Sequence, residues 1–226
     1  MLTTDHLQKY PIFENLDESN LARLLPHVHK RAFAKGAYLF HPGSPSTNTY
    51  LVESGLVRLF FTNAHGEEFL VNLVRPTGVF GLPVLDTEDI RVGGAAAYQD
   101  SVILSIECGF LLQAMQTMPA LARNLYREAT SSGRKLLIHA RTLVTLNLNA
   151  RLASLLLRLS LVLQTADVIE MPIKQAELAG WLGVSRGRIN RALNELQQQG
   201  LIRVEEDARI RLTNRLGLEN LVKTGT

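Results

Sequence analysis

Short apolar runs alternate with glycine turns through the first half of the chain, from about Val28 to Ile106. Many short strands with regular turn signals are typical of an all-β sandwich or barrel. The glycine of NAHG also predicts a hairpin between the runs LVRLFF and EEFLVNL. We therefore predict a β-domain over residues 1–118, which includes a short helix from Asp17, as its cap, to Leu25. The turn glycines are Gly36, Gly43, Gly55, Gly66, Gly78 and Gly81.

The apolar period becomes helical after Gly109. A short helix is predicted up to Pro119, and a helix of about 28 residues, about 40 Å long, over residues 119–146. One narrow apolar stripe on a long helix is typical of a dimer seam; the alternative is a helix that lies on its own β-domain. Gly133 lowers the helix propensity, which suggests close packing there. The stripe comprises Leu121, Leu125, Ala129, Ser132, Leu136, His139 and Leu143.

Residues 147–226 are predicted as a second, mainly helical domain. Asn147 and Asn149 interrupt the stripe, and an asparagine there suits the cap of a helix over residues 150–164. Within this domain, KQAELAGWLGVSRGRINRALNELQQQGLI (residues 174–202) carries the pattern of a helix-turn-helix. Gly183 suits the left-handed backbone of the turn, Ser185 the cap of the second helix, and Gly200 its end. The residues expected to face inward are Leu178, Ala179, Leu182, Val184, Ile189, Ala192, Leu193 and Leu196.

The outward face of the second helix is basic. Positions 187, 190, 191 and 194 share one face because they are three, four and seven residues apart. Arginine suits guanine in the major groove of DNA, and asparagine suits adenine. The segment LIRVEEDARIRL then predicts two strands around residues 205–208, a wing whose Arg203, Arg209 and Arg211 can contact phosphates. The alternative is a helical hairpin with solvated arginines. The predicted DNA-binding residues are Lys174, Ser185, Arg186, Gly187, Arg188, Asn190, Arg191 and Arg209.

Composition and charge agree with a globular protein that can bind nucleic acid. The 226 residues are 46% hydrophobic and 20% charged, with a formal net charge of +3. Neither an apolar run long enough for a membrane span nor a signal-peptide pattern occurs, so we expect the protein in the cytoplasm. Cys108 is the only cysteine, which excludes an intrachain disulfide, an iron–sulfur cluster and a zinc finger. We interpret it as inert packing rather than as a reactive thiol.

In these motifs the chain resembles the CRP/FNR family of bacterial transcription regulators over nearly its whole length. The glycine spacing of KGAYLFHPGSPSTNTYLVESGLVRLF is similar to that of the family's effector-binding jelly roll, and residues 118–160 are similar to its dimer helix and hinge. The resemblance implies an α+β fold: an N-terminal cyclic-nucleotide-binding-like β-roll, a long dimerisation helix and a C-terminal winged helix-turn-helix. It also implies a homodimer on a palindromic DNA site, with RNA polymerase as a further partner. Two recognition helices would then lie about 34 Å apart.

The DNA-reading pattern departs from the family in one residue. An Arg-Glu pair and a later arginine are frequent in the family, and the matching positions here are Arg186, Gly187 and Arg191. The glutamate that would accept a hydrogen bond from cytosine is absent. We therefore expect a half-site different from the best-known family consensus.

The effector site departs further from the cAMP-binding members. Their ribose-binding glutamate is absent beside Gly81, and valine follows Arg91 where they carry serine. Leu136 and Leu137 occupy the positions that would meet adenine, so a purine would lose water there without gaining hydrogen bonds. We expect no cAMP and no other cofactor.

A Phe-Gly-hydrophobic run with a later arginine is similar to the 2-oxoglutarate-responsive members, although their dimer-helix Arg and Glu correspond here to Ser132 and Leu137. We therefore consider an anionic metabolite held by Arg91 with help from Arg134. The alternative is a pocket filled by side chains and a dimer that is always competent. The predicted effector residues are Phe80, Gly81, Leu82, Arg91, Val92, Arg134 and Leu137.

Other functions receive less support from the residues. His27 and His29 form an HxH pair similar to that of metal-binding cupins, but the further ligands of such a site do not follow, so we predict no metal site. No phosphate loop or nucleophile–base pattern indicates a catalytic site, and we predict no enzyme. Two alternatives remain: a β-roll sensor or enzyme for a metal or small molecule with a secondary C-terminal module, and an interaction module whose winged helix no longer binds DNA.

Overall fold

The change from strands to helices near residue 108 is present in the computed structural model, which describes residues 2–83, 90–165, 167–169, 175–205 and 209–225. The chain divides into two compact units, each defined by the contacts among its own residues. Unit 1 comprises Met1–Thr62 and Val71–Arg134, and unit 2 comprises Asn63–Leu70 and Lys135–Thr226. The division falls inside the long helix, so that its first half belongs to unit 1 and its second half to unit 2.

Short helices at the start of unit 1 supply part of its core. They are α1 (Thr4–Gln8) and α2 (Glu18–Leu24), with 3-10 turns at Pro11–Phe13 and Leu25–His27. Asp17 caps α2 as predicted, because its carboxylate accepts a hydrogen bond from the backbone N–H of Asn20 at 2.7 Å. Leu21 and Leu24 are fully buried on the inner face of α2.

The β-roll of unit 1 contains the strands that the glycine-separated pattern predicts. They are β1 (His29–Phe33), β2 (Tyr38–Phe40), β3 (Asn48–Ser54), β4 (Val57–Thr62), β5 (Glu68–Val74), β6 (Val79–Phe80), β7 (Gly94–Ala97) and β8 (Ser101–Glu107). They form two four-stranded sheets, ordered β1-β8-β3-β6 and β2-β7-β4-β5. Gly66 has a φ of +77° in the turn between β4 and β5, which confirms the predicted hairpin.

Two helices follow the β-roll: α3 (Cys108–Thr117) and α4 (Pro119–Thr145), the latter with 27 residues. The start of α4 packs on its own unit, because Leu121 and Leu125 are buried in one cluster with Phe13. Asn124 strengthens this contact by donating to the backbone carbonyls of Ile12 and Glu14. The prediction that Leu121 and Leu125 belong to a dimer seam is therefore wrong, and the alternative of a helix on its own β-domain holds for this end of α4.

Unit 2 combines helices with a small sheet. Its further elements are α5 (Leu148–Leu163), β9 (Val168–Ile169), α6 (Gln175–Leu182), α7 (Arg186–Gln198), β10 (Ile202–Val204), β11 (Ile210–Leu212) and α8 (Arg215–Thr224). Asn147 caps α5 as predicted, with its side chain accepting from the Ala150 N–H at 2.9 Å. The sheet order is β10-β11-β9. The sequence reasoning missed β9 and α8; α8 packs against α5 and buries Leu218. Within the described residues, no helix combines the length and apolar character needed to cross a membrane.

Candidate nucleic-acid interface and effector site

Helices α6 and α7 meet at the tight turn that the sequence predicts. Gly183 has a φ of +64°, and the backbone N–H of Val184 donates to the carbonyl of Ala179 at 3.0 Å. Ser185 is the N-cap residue of α7, as predicted from its position, but its side chain makes no capping hydrogen bond. The predicted hydroxyl cap is therefore wrong, although the exposed hydroxyl remains suitable for a phosphate contact.

The apolar faces of α6 and α7 pack against each other and fix the direction of α7. All of the predicted inward residues are buried except Val184, which is half-buried. Gly200 follows α7 with a φ of +69°, and Leu201 donates its N–H to the carbonyl of Leu196, which confirms the predicted end of the helix. Because one face of α7 is held in the core, its opposite face is fixed towards solvent.

The solvent side of α7 begins with a basic surface. Arg186, Gly187, Arg188 and Arg191 are all exposed, as the helical spacing predicts. Within the described part of the chain, no ion pair involves any of these three arginines. We call Arg186, Gly187, Arg188, Asn190 and Arg191 the recognition surface. Its guanidinium groups are available to an external anion or to base edges.

Asn190 differs from its neighbours on the recognition surface. It is half-buried, and its Oδ1 is buried without a hydrogen-bond partner among the described residues. A bidentate contact with adenine requires both amide atoms of asparagine. Because Oδ1 is buried, a contact of Asn190 with adenine would have to be made through Nδ2 alone.

The predicted wing is present as an antiparallel pair of β10 and β11. Ile202 lies opposite Leu212, and Arg203 lies opposite Arg211. The isoleucine and leucine side chains are buried, whereas both arginines are exposed. Arg209 precedes β11 and its Nε lies 3.8 Å from Glu205. Residues 206–208, and the predicted DNA-binding residue Lys174, lie outside the described residues.

Some of the predicted effector residues converge inside the β-roll. The side chain of Arg91 is only 8% exposed, and it donates a hydrogen bond to the backbone carbonyl of Asn48. Its guanidinium carbon lies 4.6 Å from the ring centroid of Phe40. Gly81 lies against the guanidinium, since a Cβ at Gly81 would fall 2.8 Å from Nη1. The guanidinium is therefore enclosed by a backbone segment and an aromatic ring.

Two aromatic side chains that the sequence reasoning missed, Phe40 and Tyr50, complete this site together with the predicted Phe80. Phe80 stacks on Tyr50, with ring centroids 5.3 Å apart, and Phe40 stacks on Tyr50 at 5.5 Å. Burial raises the pKa of Tyr50, although the nearby Arg91 opposes that shift. The alternation of inward side chains along β2 and β3 is a signal that could have identified Phe40 and Tyr50.

The charge of Arg91 lacks a described counter-ion. No carboxylate among the described residues pairs with it, and its Nε is buried without a hydrogen-bond partner. The segment 84–89, which carries three carboxylates in the sequence, lies outside the described residues. A buried guanidinium of this kind can hold a carboxylate or phosphate.

The other predicted effector residues do not all join Arg91. Val92 is 80% exposed, so it does not line the site, and its prediction is wrong. Leu82 packs against the core cluster of unit 1. Arg134 and Leu137 are exposed residues of α4. Elsewhere in unit 1, the His27 ring stacks on Phe110 with centroids 3.6 Å apart.

Two family models match the chain. A cyclic nucleotide-binding domain matches residues 30–118, which covers the β-roll and α3. A Crp-like helix-turn-helix domain matches residues 150–221, which covers α5 to α8. The two matches together cover both of the regions in which the candidate sites lie.

Characterised proteins are similar to the chain over most of its length. It is 29% identical over 194 residues to the cyclic AMP receptor protein of Thermus thermophilus, covering 86% of this chain and 88% of that one. It is 26% identical over 211 residues to the anaerobic regulatory protein of Bacillus subtilis, covering 91% and 89%. The global nitrogen regulator of Synechococcus elongatus is 28% identical over 180 residues, covering 77% and 81%.

Solved structures share the fold. A transcriptional regulator of the CRP/FNR family from Thermus thermophilus matches with a TM-score of 0.67 and 26% identity, covering 88% of this chain and 100% of that one. A regulator from Eubacterium rectale matches with a TM-score of 0.78 over 96% of this chain and 99% of that one; at 18% identity this likeness concerns the fold alone.

Proposed function

Because the chain belongs to the CRP/FNR family of transcription regulators, we propose that it binds a two-fold symmetric DNA site as a homodimer. The recognition surface of each subunit would enter one major groove, and the wing would contact the neighbouring phosphates. The observation that carries the proposal is the exposed basic start of α7, whose opposite face is fixed in the core of unit 2.

The proposed dimer seam is an exposed stripe of α4. Its most exposed apolar side chains are Tyr126 at 71%, Leu137 at 73% and Val144 at 86%. With Thr130, Gly133 and Ala140 between them, the positions follow the 4-3-4-3-4 spacing of a coiled-coil seam. We define these six residues as the seam stripe. It extends over about 27 Å of helix at 1.5 Å per residue.

A second copy of the chain is the occupant that this stripe suits best. Apart from the adjacent residues and backbone of α4 itself, nothing in the described chain lies within 4 Å of a Cβ placed on Gly133, so a partner helix can approach closely at that point. The stripe lies on a different face of α4 from Leu121 and Leu125, because 3.6 residues per turn places Tyr126 about 100° from Leu125 and about 140° from Leu121. A helix that packs on its own unit by one face can therefore pair by the other.

The proposed effector chemistry is anionic. A small metabolite carboxylate or phosphate would pair with Arg91, and cAMP would not be required, since Leu136 and Leu137 offer no hydrogen bonds to adenine. We include RNA polymerase as a partner and, since bacterial DNA lies in the cytoplasm, that compartment as the location.

Removal of two arginines from the recognition surface tests the function directly. The double variant Arg186→Ala, Arg191→Ala should lose sequence-specific binding in a competition assay against random duplex, because each bidentate guanine contact is worth about 1–3 kcal/mol. A matched control, Arg75→Ala with Arg123→Ala, removes the same charge from exposed positions elsewhere. Equal loss in both variants, or none in the first, would overturn the proposal.

Thermal-shift titration tests the effector. Wild-type protein should be stabilised by at least one carboxylate or phosphate metabolite of a panel and not by cAMP, and Arg91→Gln should lose the response. Stabilisation of both proteins by cAMP would contradict the anionic site at Arg91.

A further inference from the structure

Glu205 directly follows β10 and forms ion pairs with two arginines of the wing. Its Oε1 accepts a hydrogen bond from Nε of Arg211 at 2.8 Å and forms an ion pair with Nη2 of the same residue, also at 2.8 Å. Its Oε2 lies 3.8 Å from Nε of Arg209. The backbone N–H of Glu205 also donates to the carbonyl of Arg209 at 2.9 Å, which fixes the carboxylate beside both guanidinium groups.

These side chains share one face of the wing with a third arginine. Arg203 lies directly opposite Arg211 in the strand pair and is exposed. Like charges on directly opposite residues repel each other. Glu205 offsets that repulsion in the free protein, so that the described charged residues of this face, three arginines and Glu205, carry a net formal charge of +2 instead of +3.

A DNA phosphate and the Glu205 carboxylate would both bind to the guanidinium N–H groups of the wing arginines. A guanidinium pairs with either anion through parallel N–H groups. A phosphate that reaches Arg209 or Arg211 must therefore displace the carboxylate or approach it closely, and both oppose binding. The recognition surface experiences no such competition from the described residues, since none of them forms an ion pair with its arginines.

We propose that Glu205 is a built-in competitor of DNA phosphate that weakens the attachment of the wing to the DNA backbone. The inference rests on the proposed DNA binding and adds a residue that tunes it. Phosphate contacts supply nearly all non-specific affinity, whereas base contacts supply sequence preference. A carboxylate that acts on the wing alone therefore lowers the phosphate contribution and leaves the base contacts of α7 unchanged.

Glu205→Gln tests this inference, because it keeps the size of the side chain and removes its charge. Binding of the full-length variant to a random-sequence duplex and to a selected site is measured by fluorescence anisotropy over a series of KCl concentrations. One additional phosphate contact per subunit, and therefore two per dimer, should steepen the slope of log K against log salt by about 1.8. Affinity for both duplexes should rise about three- to tenfold per subunit at low salt by the same counterion argument, or about ten- to a hundredfold for the dimer.

A matched control separates this effect from a change in net charge. Glu219→Gln removes the same charge from an Arg–Glu pair on α8, where Arg215 Nε lies 3.5 Å from Glu219, and α8 carries no predicted DNA-binding residue. This variant should keep the wild-type slope. Adding Arg211→Gln to the Glu205→Gln variant should return the slope to the wild-type value, and circular dichroism confirms that each variant is folded.

An unchanged or shallower slope for Glu205→Gln would overturn the inference, and so would an equal steepening for Glu219→Gln. Both results leave the proposed function intact if the wild-type protein prefers a selected site. A wild-type protein that binds no duplex at low salt would overturn the proposed function and, with it, the role of Glu205.

Discussion

Truncation of one leucine in the seam stripe should weaken the proposed dimer by a predictable amount. Leu137 is 73% exposed in the single chain, so most of its side chain can become buried only against another molecule. Full burial of a leucine side chain is worth about 1.5–3 kcal/mol, and the exposed share of Leu137 reduces this to about 1–2 kcal/mol. A homodimer contains two copies, which gives about 2–4 kcal/mol for Leu137→Ala.

That free energy corresponds to a dissociation constant for the dimer that is larger by a factor of about 30 to 700, at about 1.4 kcal/mol per tenfold change. Sedimentation velocity over a range of protein concentrations measures it directly. Leu216→Ala on α8 is the matched control, because Leu216 is also 73% exposed and lies outside the seam stripe. The control should dimerise like the wild type.

Equal dimer affinities for Leu137→Ala, Leu216→Ala and the wild type would refute the assignment of the seam. A weakened dimer should also bind the selected DNA site less tightly at low protein concentration, since both half-sites must then be filled by separate monomers.

Asn147→Ala should lower the free energy of unfolding by about 1 kcal/mol, because it removes the side-chain cap of α5. Ser185→Ala should change that free energy little, because Ser185 makes no capping hydrogen bond. Denaturant titration compares the two variants, and a larger loss for Ser185→Ala would contradict the cap assignments. Burial, with a smaller contribution from Glu53, raises the pKa of Tyr10 to about 12 from the usual 10. The stability that the neutral phenol contributes should therefore be complete below pH 10 and lost between about pH 10 and 12. In urea titrations the variant Tyr10→Phe should lack this loss, and an identical alkaline loss in the variant would refute the assignment. Asn190→Ala should weaken specific DNA binding by less than about 1 kcal/mol, against about 1–3 kcal/mol for Arg191→Ala, because its oxygen is turned inward; the reverse order in a competition assay would contradict this geometry.

The sequence predicts the β-roll and the helix-turn-helix well because their signals are local. Glycines such as Gly66 and Gly183 occupy backbone conformations with positive φ, and the apolar spacing of α6 and α7 matches the face that is buried. Capping by Asp17 and Asn147 is local in the same sense, since each side chain bonds a backbone N–H three residues later.

Features that depend on tertiary contacts were harder to predict. The stripe that starts at Leu121 has helical spacing, but spacing alone does not say whether a face meets its own unit or a second copy. The start of α4 meets its own unit through Leu121 and Leu125, and the seam stripe follows a different line that starts at Tyr126. Only Val168 and Ile169 of the described residues belong to β9, and two residues do not show the alternation that identifies longer strands.

In the candidate sites, too, local patterns predict some features, whereas features that depend on tertiary contacts are missed. Helical periodicity placed Arg186 and Arg191 on the exposed face correctly, but it did not reveal that the oxygen of Asn190 is turned inward. In the β-roll, the sequence identified Arg91 but not the aromatic rings around it, because Phe40 and Tyr50 come from strands that are distant in the chain.

Selection of bound sequences from a pool of random duplexes tests symmetric DNA recognition without any assumption about the half-site. Two identical basic helices related by a two-fold axis should select inverted half-sites whose centres are about 10 base pairs, or about 34 Å, apart. Recovery of a single asymmetric motif, or of no preferred sequence at any salt concentration, would refute DNA recognition by a two-fold symmetric dimer.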